Sequence, residues 1–384
     1  MRTRLNLAYL SNLSSPYDSF FLNRLKETYN VTCITLNHNP ISFPQTIPIV
    51  RVKDSPFKLP RWDGVRIWAL TFGRTFLLKR LLNRIKPDLV ISNNALSYGF
   101  YSALADFKPC LLFVWGSDVL VWPKKLFIFK SIVGYSLKKA DAILVDSDVQ
   151  VKVCLELGAS PDKIVKIPWF DINDVHNVKI EDEGKRKIRQ NLGISEDETL
   201  VISTRSHEQV YSVETLILAI SKIVRHDHKV KFLIIGGGSK TLFLKRLAKR
   251  QGVVDKVIFT GKISRRKVME YLQVSDIYVS TSLSDGTSAS LLEAMACDIP
   301  PIVTDIPGNR EWIRDRSNGL LFPVKDHNAL AENVVKLLKD DDCRKSIVKK
   351  AYETIIEKAD WQKNSKLLDN LIFSLINSEQ SARI

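Results

Sequence analysis

The chain has 384 residues, of which 45% are hydrophobic and 26% are charged, and its formal net charge is +15. This composition is typical of a globular protein and excludes a chain that is disordered throughout. The five cysteines are scattered without a Cys-x-x-Cys pair, so neither a zinc site nor a disulfide framework is predicted. The positive charge indicates an acidic partner, and the lack of an aromatic or zinc-finger signature argues against nucleic acid.

Signals for targeting and for membrane insertion are weak. The positively charged start is followed by an apolar run that Asn6 interrupts, so we expect a first strand there and no signal peptide. No stretch approaches 18 apolar residues, and no segment is therefore predicted to span a membrane. Together with the isolated cysteines, these features predict a cytoplasmic protein.

Short β-rich runs alternate with helical stretches along the chain, which predicts an α/β fold with two doubly wound parallel sheets. The strands predicted in the first half are residues 4–10, 31–36, 88–92, 110–114, 142–145 and 163–167. Those predicted in the second half are residues 199–204, 230–235, 256–260, 276–281, 300–304 and 319–322. The polar, helix-poor stretch 171–183 is the predicted linker. Parallel sheets bind ligands at the carboxyl ends of their strands, so a shared site would lie in the cleft between them.

Basic and aromatic side chains are interleaved in residues 57–86, where eight lysines and arginines accompany one acid, Asp63. The aromatic members are Phe57, Trp62, Trp68, Phe72 and Phe76. An anionic membrane surface attracts this combination of side chains. A helix with a solvated basic face and an ordinary core face would have the same composition, and both interpretations stay open.

Two acidic patterns in the first half could carry chemistry. The run Trp115-Gly116-Ser117-Asp118 follows a predicted strand, and Asp118 would either orient a substrate hydroxyl or cap the next turn. Asp146-Ser147-Asp148 has the form of an Asp-x-Asp metal motif, but two acids are a weak pattern and Asp148 is better explained as a helix cap. Three histidines are spaced wrongly for a shared zinc site and are expected to be solvated: His207, His226 and His228. No metal site is predicted.

The second half begins with two loops that suit a phosphate ligand. Arg205 follows the strand 199–204, so it is expected at a carboxyl end, where it would clamp a diphosphate unless it is only a surface arginine. Gly236-Gly237-Gly238 ends the strand 230–235, and its glycines would let a backbone or a ligand approach closely. A dinucleotide fingerprint is disfavoured because the Gly-x-Gly-x-x-Gly pattern fails at Thr241.

The most informative segment runs from residue 284 to residue 297. A predicted strand precedes Asp285-Gly286, which indicates a sharp turn, and Ser288 or Ser290 is expected to cap a new helix. The start of such a helix presents N–H groups and partial positive charge to a phosphate. Glu293 follows within an apolar run, where a carboxylate without a partner is costly. Asp285 and Glu293 therefore either complement the helix dipole or structural cations, or bind a ligand at an anion site.

This segment resembles the retaining GT-B glycosyltransferases of family 4, whose signature is Glu-x7-Glu followed by Ala-Met-Ala. Asp285 and Glu293 have the same offset, with Asp in place of the first Glu. The resemblance continues through residues 307–311 and 318–323 and extends over essentially the whole chain. It implies two Rossmann-like domains that face each other across a cleft. Residues 1–170 would bind the acceptor, residues 171–360 would bind the donor, and a last helix at 361–384 would cross back onto the first domain.

The resemblance implies a hexosyltransferase that moves a sugar from a nucleotide diphosphate sugar to a hydroxyl with retention, without a metal or other cofactor. The acceptor would be a lipid-linked or cell-surface glycan precursor, reached from the inner face of the membrane. The residues implied in catalysis are Arg205, Asp285 and Asp118. Those implied in donor binding are Glu293, Gly286, Thr287, Ser288, Gly237, Gly238, Tyr211 and Gly261. Those implied on the acceptor side are Trp115, Gly116, Ser117 and Asp18.

Two other functions remain open at this stage. Relatives carry a lysine where this chain has Tyr211, and many carry a histidine where it has Trp115. These departures, with Asp285, fit a non-catalytic partner subunit that kept the fold, whereas the retained Arg205 and Glu293 fit an active transferase. An NAD-dependent oxidoreductase is the third possibility, and binding of NAD rather than UDP or GDP would identify it.

Overall fold

The computed structural model describes residues 4–13, 16–36, 46–52 and 63–382. The chain divides into two compact units, Met1–Ile167 together with Ser365–Ile384, and Pro168–Asn364. The start of the basic aromatic stretch, residues 57–62, lies outside the described residues. Within the described ranges, no helix combines the length and the apolar content that are needed to cross a bilayer.

The first unit is built on a parallel sheet of seven strands in the order β3-β2-β1-β4-β5-β6-β7. The strands are β1 Asn6–Leu10, β2 Asn30–Thr35, β3 Ile49–Arg51, β4 Leu89–Asn93, β5 Cys110–Phe113, β6 Ala142–Val145 and β7 Ile164–Lys166. Every residue of β4, β5 and β6 is buried. Helices cover both faces of such a sheet, which explains why these strands are continuous apolar runs in the sequence.

The helices of the first unit are α1 Pro16–Thr28, α2 Asp63–Ile85, α3 Gly99–Ala105, α4 Ser117–Leu120, α5 Phe127–Lys139, α6 Asp148–Glu156 and α16 Trp361–Ala382. The last helix packs on this unit from Ser365 onward. Its Asp369 carboxylate accepts hydrogen bonds from the guanidinium of Arg24 and from the hydroxyl of Tyr29. Helix α3 lies between α2 and α5, where Arg74 donates to the Tyr101 hydroxyl and Phe100 meets Tyr135 edge to face.

The second unit is a six-stranded parallel sheet in the order β10-β9-β8-β11-β12-β13. The strands are β8 Thr199–Ser203, β9 Val230–Ile235, β10 Val257–Gly261, β11 Ile277–Ser280, β12 Pro301–Thr304 and β13 Leu320–Phe322. The helices are α7 Ile172–His176, α8 Asp182–Asn191, α9 Glu214–His226, α10 Thr241–Arg250, α11 Arg265–Leu272, α12 Ala289–Ala296, α13 Pro307–Arg310, α14 His327–Lys339 and α15 Asp341–Lys358. The strand order reverses between β8 and β11, and ligands bind at such reversals in α/β sheets.

All of the strands predicted from the sequence are confirmed to within a few residues. Strand β3 was not predicted because it is a three-residue edge strand whose two end residues are exposed, so it lacks an apolar run. The predicted linker 171–183 is wrong in one respect, since it contains helix α7 and the start of α8. Asp171 begins α7 by accepting a hydrogen bond from the Asn173 N–H, and the short helix then buries Val175.

Candidate active site

The site is built where the strand order of the second unit reverses. Arg205 lies just beyond the carboxyl end of β8, and Asp285 lies in the loop that follows β11, the strand beside it. The same loop leads into helix α12, so its first turn begins next to both side chains. Arg205 and the segment from Asp285 to the start of α12, which are 80 residues apart in the sequence, are thereby brought to one edge of the sheet.

Arg205 is held on several sides at once. Its Nη2 lies 2.5 Å from the Asp285 carboxylate, and its Nη1 donates to the hydroxyls of Ser288 and Ser290, each at 2.7 Å. The guanidinium also stacks on the ring of Tyr211, at 4.2 Å from its centroid. Because only 8% of Arg205 is exposed, its charge needs these partners. The Tyr211 ring thereby helps to orient the guanidinium.

The start of α12 is tied to the same arginine. Ser288 is the residue before the helix, as predicted, but its hydroxyl accepts from Arg205 and makes no capping bond to the helix. Ser290 accepts from Arg205 and from the buried Tyr278 hydroxyl, which lies 2.8 Å away. The first turn of α12 is therefore positioned by side-chain hydroxyls that bind the guanidinium.

Glu293 has a cationic partner that the sequence did not single out. Its side chain is 13% exposed, and one carboxylate oxygen lies 3.4 Å from Arg265, the first residue of α11. Arg265 also lies 3.6 Å from Asp174. Burial raises the pKa of Glu293, and Arg265 opposes that rise. The only sequence signal for Arg265 is its place just after the turn that ends β10.

The glycine-rich loop packs against the loop that carries Arg205. Gly236 has a φ of +128°, and a Cβ there would lie 2.7 Å from the Arg205 carbonyl oxygen. A Cβ at Gly238 would lie 2.7 Å from the His207 carbonyl oxygen. These two glycines are therefore required by the approach of two backbones. Gly261, with a φ of +72°, accepts from the Gly236 N–H at 3.0 Å and joins a third loop to them.

His207 contradicts the expectation of a solvated histidine, although His226 and His228 are exposed. Only 1% of His207 is exposed, its Nδ1 lies 2.9 Å from the Thr241 hydroxyl, and its ring meets Phe259 edge to face. Burial lowers its pKa, and the charge of Lys245 lowers it further. His207 thus holds the start of α10 against the loop after β8.

Lys262 places a positive charge beside the glycine-rich loop. Its aliphatic stem covers Gly237, where a Cβ would lie 3.2 Å from the Lys262 Cγ. Glu208, in the Arg205 loop, binds the N–H and the hydroxyl of Ser239, and these bonds, with a smaller effect of Lys262, lower its pKa. The sequence did not single out Lys262.

Helix α13 packs closely against the turn at Asp285-Gly286. A Cβ at Gly308 would lie 2.5 Å from the Asp285 carbonyl oxygen, so only glycine fits under this turn. Thr287 accepts a hydrogen bond of 3.4 Å from the indole of Trp312. The loop before α12 is consequently fixed by packing that does not involve a ligand.

In the first unit, Asp118 joins two loops. It has no exposed surface, and its carboxylate accepts from the N–H groups of Ala95, at 2.8 Å, and Trp115, at 3.1 Å. Burial raises its pKa to about 6, while these backbone bonds oppose the rise. Asp118 therefore connects the segments that follow β4 and β5, and its suggested contact with a substrate hydroxyl stays a prediction.

The other acceptor-side residues lie at the same edge of this sheet. The Trp115 indole donates to the Asn93 side chain at 3.1 Å, Gly116 has a φ of +97°, and Ser117 is exposed. Asp18, at 3% exposure, accepts from the hydroxyls of Ser11, at 2.6 Å, and Tyr9, at 3.1 Å. Of this group, Ser117 and part of Trp115 are open to solvent.

The Asp-x-Asp pattern has no metal-site geometry. Asp146 is buried, whereas the Asp148 side chain is 69% exposed and pairs with Lys166. Asp148 is the first residue of α6 and not its cap, which is Ser147, so that expectation was wrong. In the part of the chain that the structure describes, no three His, Cys, Asp or Glu side chains are grouped as metal ligands.

Comparison with known families identifies both halves of the chain. The model of the glycosyl transferases group 1 family matches residues 184–354, and the glycosyl transferase 4-like model matches residues 6–147. The chain is 28% identical to an N-acetyl-alpha-D-glucosaminyl L-malate synthase of Bacillus anthracis over 62% of each protein. It is 23% identical to an alpha-monoglucosyldiacylglycerol synthase of Streptococcus pneumoniae over 65% of this chain. The matches span 62% and 57% of these relatives' own lengths.

The fold also occurs in solved structures. Anabaena HepE, crystallised in complex with UDP-glucose, superposes with a TM-score of 0.81 at 16% identity, over 97% of this chain and 100% of that one. An identity this low establishes a shared fold and nothing more. The prediction of a GT-B fold with two doubly wound parallel sheets is confirmed.

The raised pKa of Asp118 gives a testable dependence of stability on pH. The folded protein holds the Asp118 proton up to about pH 6, whereas the unfolded chain loses it near pH 4. As the pH rises through this window, the parent should lose up to about 3 kcal/mol relative to Asp118→Asn, which does not titrate. Urea unfolding of both proteins between these pH values measures the difference, and parallel curves would contradict the assignment.

Proposed function

The chain belongs to the group 1 glycosyltransferases, and we propose that it transfers a sugar from a nucleotide diphosphate sugar to a hydroxyl acceptor with retention at the anomeric carbon. One observation carries this proposal: a buried arginine is fixed beside a helix N-terminus where the strand order of the second unit reverses. A guanidinium and helix N–H groups are the donors that stabilise a leaving diphosphate.

Arg205 is the group that would bind the donor diphosphate. Its contacts with Asp285, Ser288 and Ser290 orient the guanidinium before any ligand arrives, so little reorganisation accompanies the reaction. Asp285 acts here as a positioning residue, because its carboxylate lies against Arg205. As diphosphate charge develops, Arg205 would share its hydrogen bonds between that carboxylate and the leaving group.

Lys262 is the best candidate for the second positive charge. Tyr211 adds no charge and serves to stack on Arg205. Lys262 lies over Gly237, so its ammonium can reach the same strand edge from the neighbouring loop. Two cations from different loops would then meet the diphosphate, and no metal would be required.

Glu293 would bind the hydroxyls of the donor, with Arg265 favouring its ionised carboxylate. Burial favours the neutral acid and raises the pKa, and the adjacent guanidinium opposes that rise. An ionised carboxylate can accept two hydroxyl hydrogen bonds. Arg265 is therefore proposed as the residue that positions Glu293.

The proposed acceptor is a lipid-linked or cell-surface glycan precursor at the cytoplasmic face of the membrane. The basic aromatic stretch 57–86 supports a peripheral attachment, since Phe72 and Phe76 of α2 are 60% and 66% exposed. One relative is named for the synthesis of a glucosylated diacylglycerol, which supports an acceptor of this class. The free cysteines support a reducing compartment.

Screening nucleotide sugars tests the proposed reaction. With UDP- and GDP-linked sugars and no acceptor, we expect slow release of nucleoside diphosphate from the cognate donor. With methanol as acceptor, NMR should find that the methyl glycoside keeps the donor's anomeric configuration, because a glycoside does not mutarotate. Arg205→Met should reduce the release rate about 100-fold or more, because it removes a donor to the leaving group. An inverted product would contradict retention. Binding of NAD alone would identify an oxidoreductase, and binding of no nucleotide would favour a non-catalytic subunit.

A matched pair of substitutions tests Glu293. Glu293→Gln should weaken binding of the cognate nucleotide roughly 10- to 150-fold, as expected for the loss of one charged hydrogen bond. Asp174→Asn is the control, because Asp174 contacts the same Arg265 but has no proposed contact with the donor. Calorimetric titration of both folded variants compares them. Equal affinities would mean that Glu293 serves only its ion pair.

Activity should not depend on a metal. Arg205, Lys262 and the first amides of α12 are proposed to meet the diphosphate charge, so the rate of donor hydrolysis should survive EDTA. The measurement is the rate before and after dialysis against the chelator. A strict need for manganese or magnesium would overturn this assignment and direct attention to Asp146 and Asp148.

A further inference from the structure

The connection between β5 and α5 exposes an unusual set of large apolar side chains. Trp122, Leu126, Phe127 and Ile128, which we call the 122–128 patch, are 39%, 57%, 82% and 47% exposed. Single exposed hydrophobic residues are ordinary, but a contiguous group marks a surface that contacts something apolar. Phe127 and Ile128 are the first two residues of α5, so the patch surrounds the start of that helix.

The charged residues in the sequence around this patch are all lysines. From residue 119 to residue 140 the chain has five lysines and no acid. The exposed Lys124 and Lys125 lie within the patch, and Lys130 lies one turn into α5. The Lys125 ammonium is 4.2 Å from the Trp122 ring centroid, and that ring meets Phe129 edge to face. Indole, phenyl and ammonium groups together suit the boundary between acyl chains and anionic headgroups.

A second exposed apolar pair belongs to the same layer of helices. Phe72 and Phe76 are one turn apart on α2, and α3 lies between α2 and α5. All three helices run antiparallel to the strands, so each begins at the carboxyl edge of the sheet. The patch and this pair therefore belong to one helical layer, on one face of the first unit.

We propose that the 122–128 patch inserts into the headgroup region of an anionic lipid bilayer, with Phe72 and Phe76 of α2 as a second contact. Pairing with a second copy of the chain is disfavoured, because a two-fold interface formed by this patch would bring the patch lysines of both copies together, and the segment 119–140 has no acid to pair with them. A bilayer offers phosphate to the lysines and acyl chains to the four apolar side chains. This docking does not rest on the proposed chemistry, although it would bring the unit to a lipid-linked acceptor.

Vesicle sedimentation of the full chain tests the proposal. The parent should bind vesicles of phosphatidylcholine mixed with phosphatidylglycerol and should bind pure phosphatidylcholine much less. The triple variant Leu126→Gln, Phe127→Gln, Ile128→Gln should bind the mixed vesicles at least about tenfold more weakly, because three exposed apolar groups no longer enter the lipid. Lys124→Gln with Lys125→Gln should also weaken binding and reduce its sensitivity to salt.

The chain supplies a matched control on α10. Leu242 and Phe243 are 60% and 42% exposed and stand beside Lys240, whose ammonium is 5.7 Å from the Phe243 ring centroid. Replacing both with Gln removes an exposed Leu and an exposed Phe from another surface, and vesicle binding should remain that of the parent. The circular-dichroism spectrum and the midpoint of thermal unfolding of each variant check that it folds like the parent.

Three results would overturn the proposal. These are a parent that does not bind mixed vesicles at low salt, a triple variant that binds like the parent, and an α10 control that loses as much binding. A parent that instead forms a dimer abolished by the triple substitution would identify the patch as a self-association surface. If the protein transfers sugar but does not bind vesicles, only the docking proposal is rejected. If it binds vesicles but does not transfer sugar, only the proposed enzyme function is rejected.

Discussion

The ion pair between Arg205 and Asp285 is the constraint on which the arrangement of the second unit's site depends. A guanidinium that is 8% exposed cannot remain without a counter-charge, and Asp285 supplies it from the next strand. The same guanidinium binds the two serines that begin α12 and stacks on Tyr211. Loops from two strands and the start of a helix are therefore set in one geometry by a single buried charge.

The two acids of the helix-start segment, Asp285 and Glu293, each form an ion pair with a different arginine, and the two pairs differ in geometry. Asp285 is occupied by Arg205 at 2.5 Å, whereas Glu293 meets Arg265 at a looser 3.4 Å and competes there with Asp174. The shorter Asp side chain keeps its carboxylate against the guanidinium, which favours a positioning role. The looser pair at Glu293 leaves lone pairs that a hydroxyl could use. The glycines at 236, 238 and 308 allow neighbouring backbones to approach the loops of the site.

The fold followed from the sequence because its strands are short, buried on both faces and apolar throughout. Strand β3 has no such run, and its place at the sheet edge depends on pairing with β2, which no local pattern reports. The position of Asp285 and Glu293 at a helix start was also predictable from local spacing. Their partners were not, because Arg205 and Arg265 are brought to them by the crossovers between strands. Burial of Asp118 and His207 likewise depends on loops that are distant in sequence.

The exposed apolar side chains of the first unit were also not predictable from local sequence patterns. Residues 57–86 were conspicuous because charge and aromatic rings alternate there over a long stretch, whereas Leu126, Phe127 and Ile128 form a short apolar run that would equally suit a buried helix start. A hydrophobic run predicts burial. Only the structure shows that the first residues of α5 are left exposed to solvent by the part of the chain that is described. An apolar helix start that is left uncovered, and that has lysines without a single acid, has the composition of an interfacial segment.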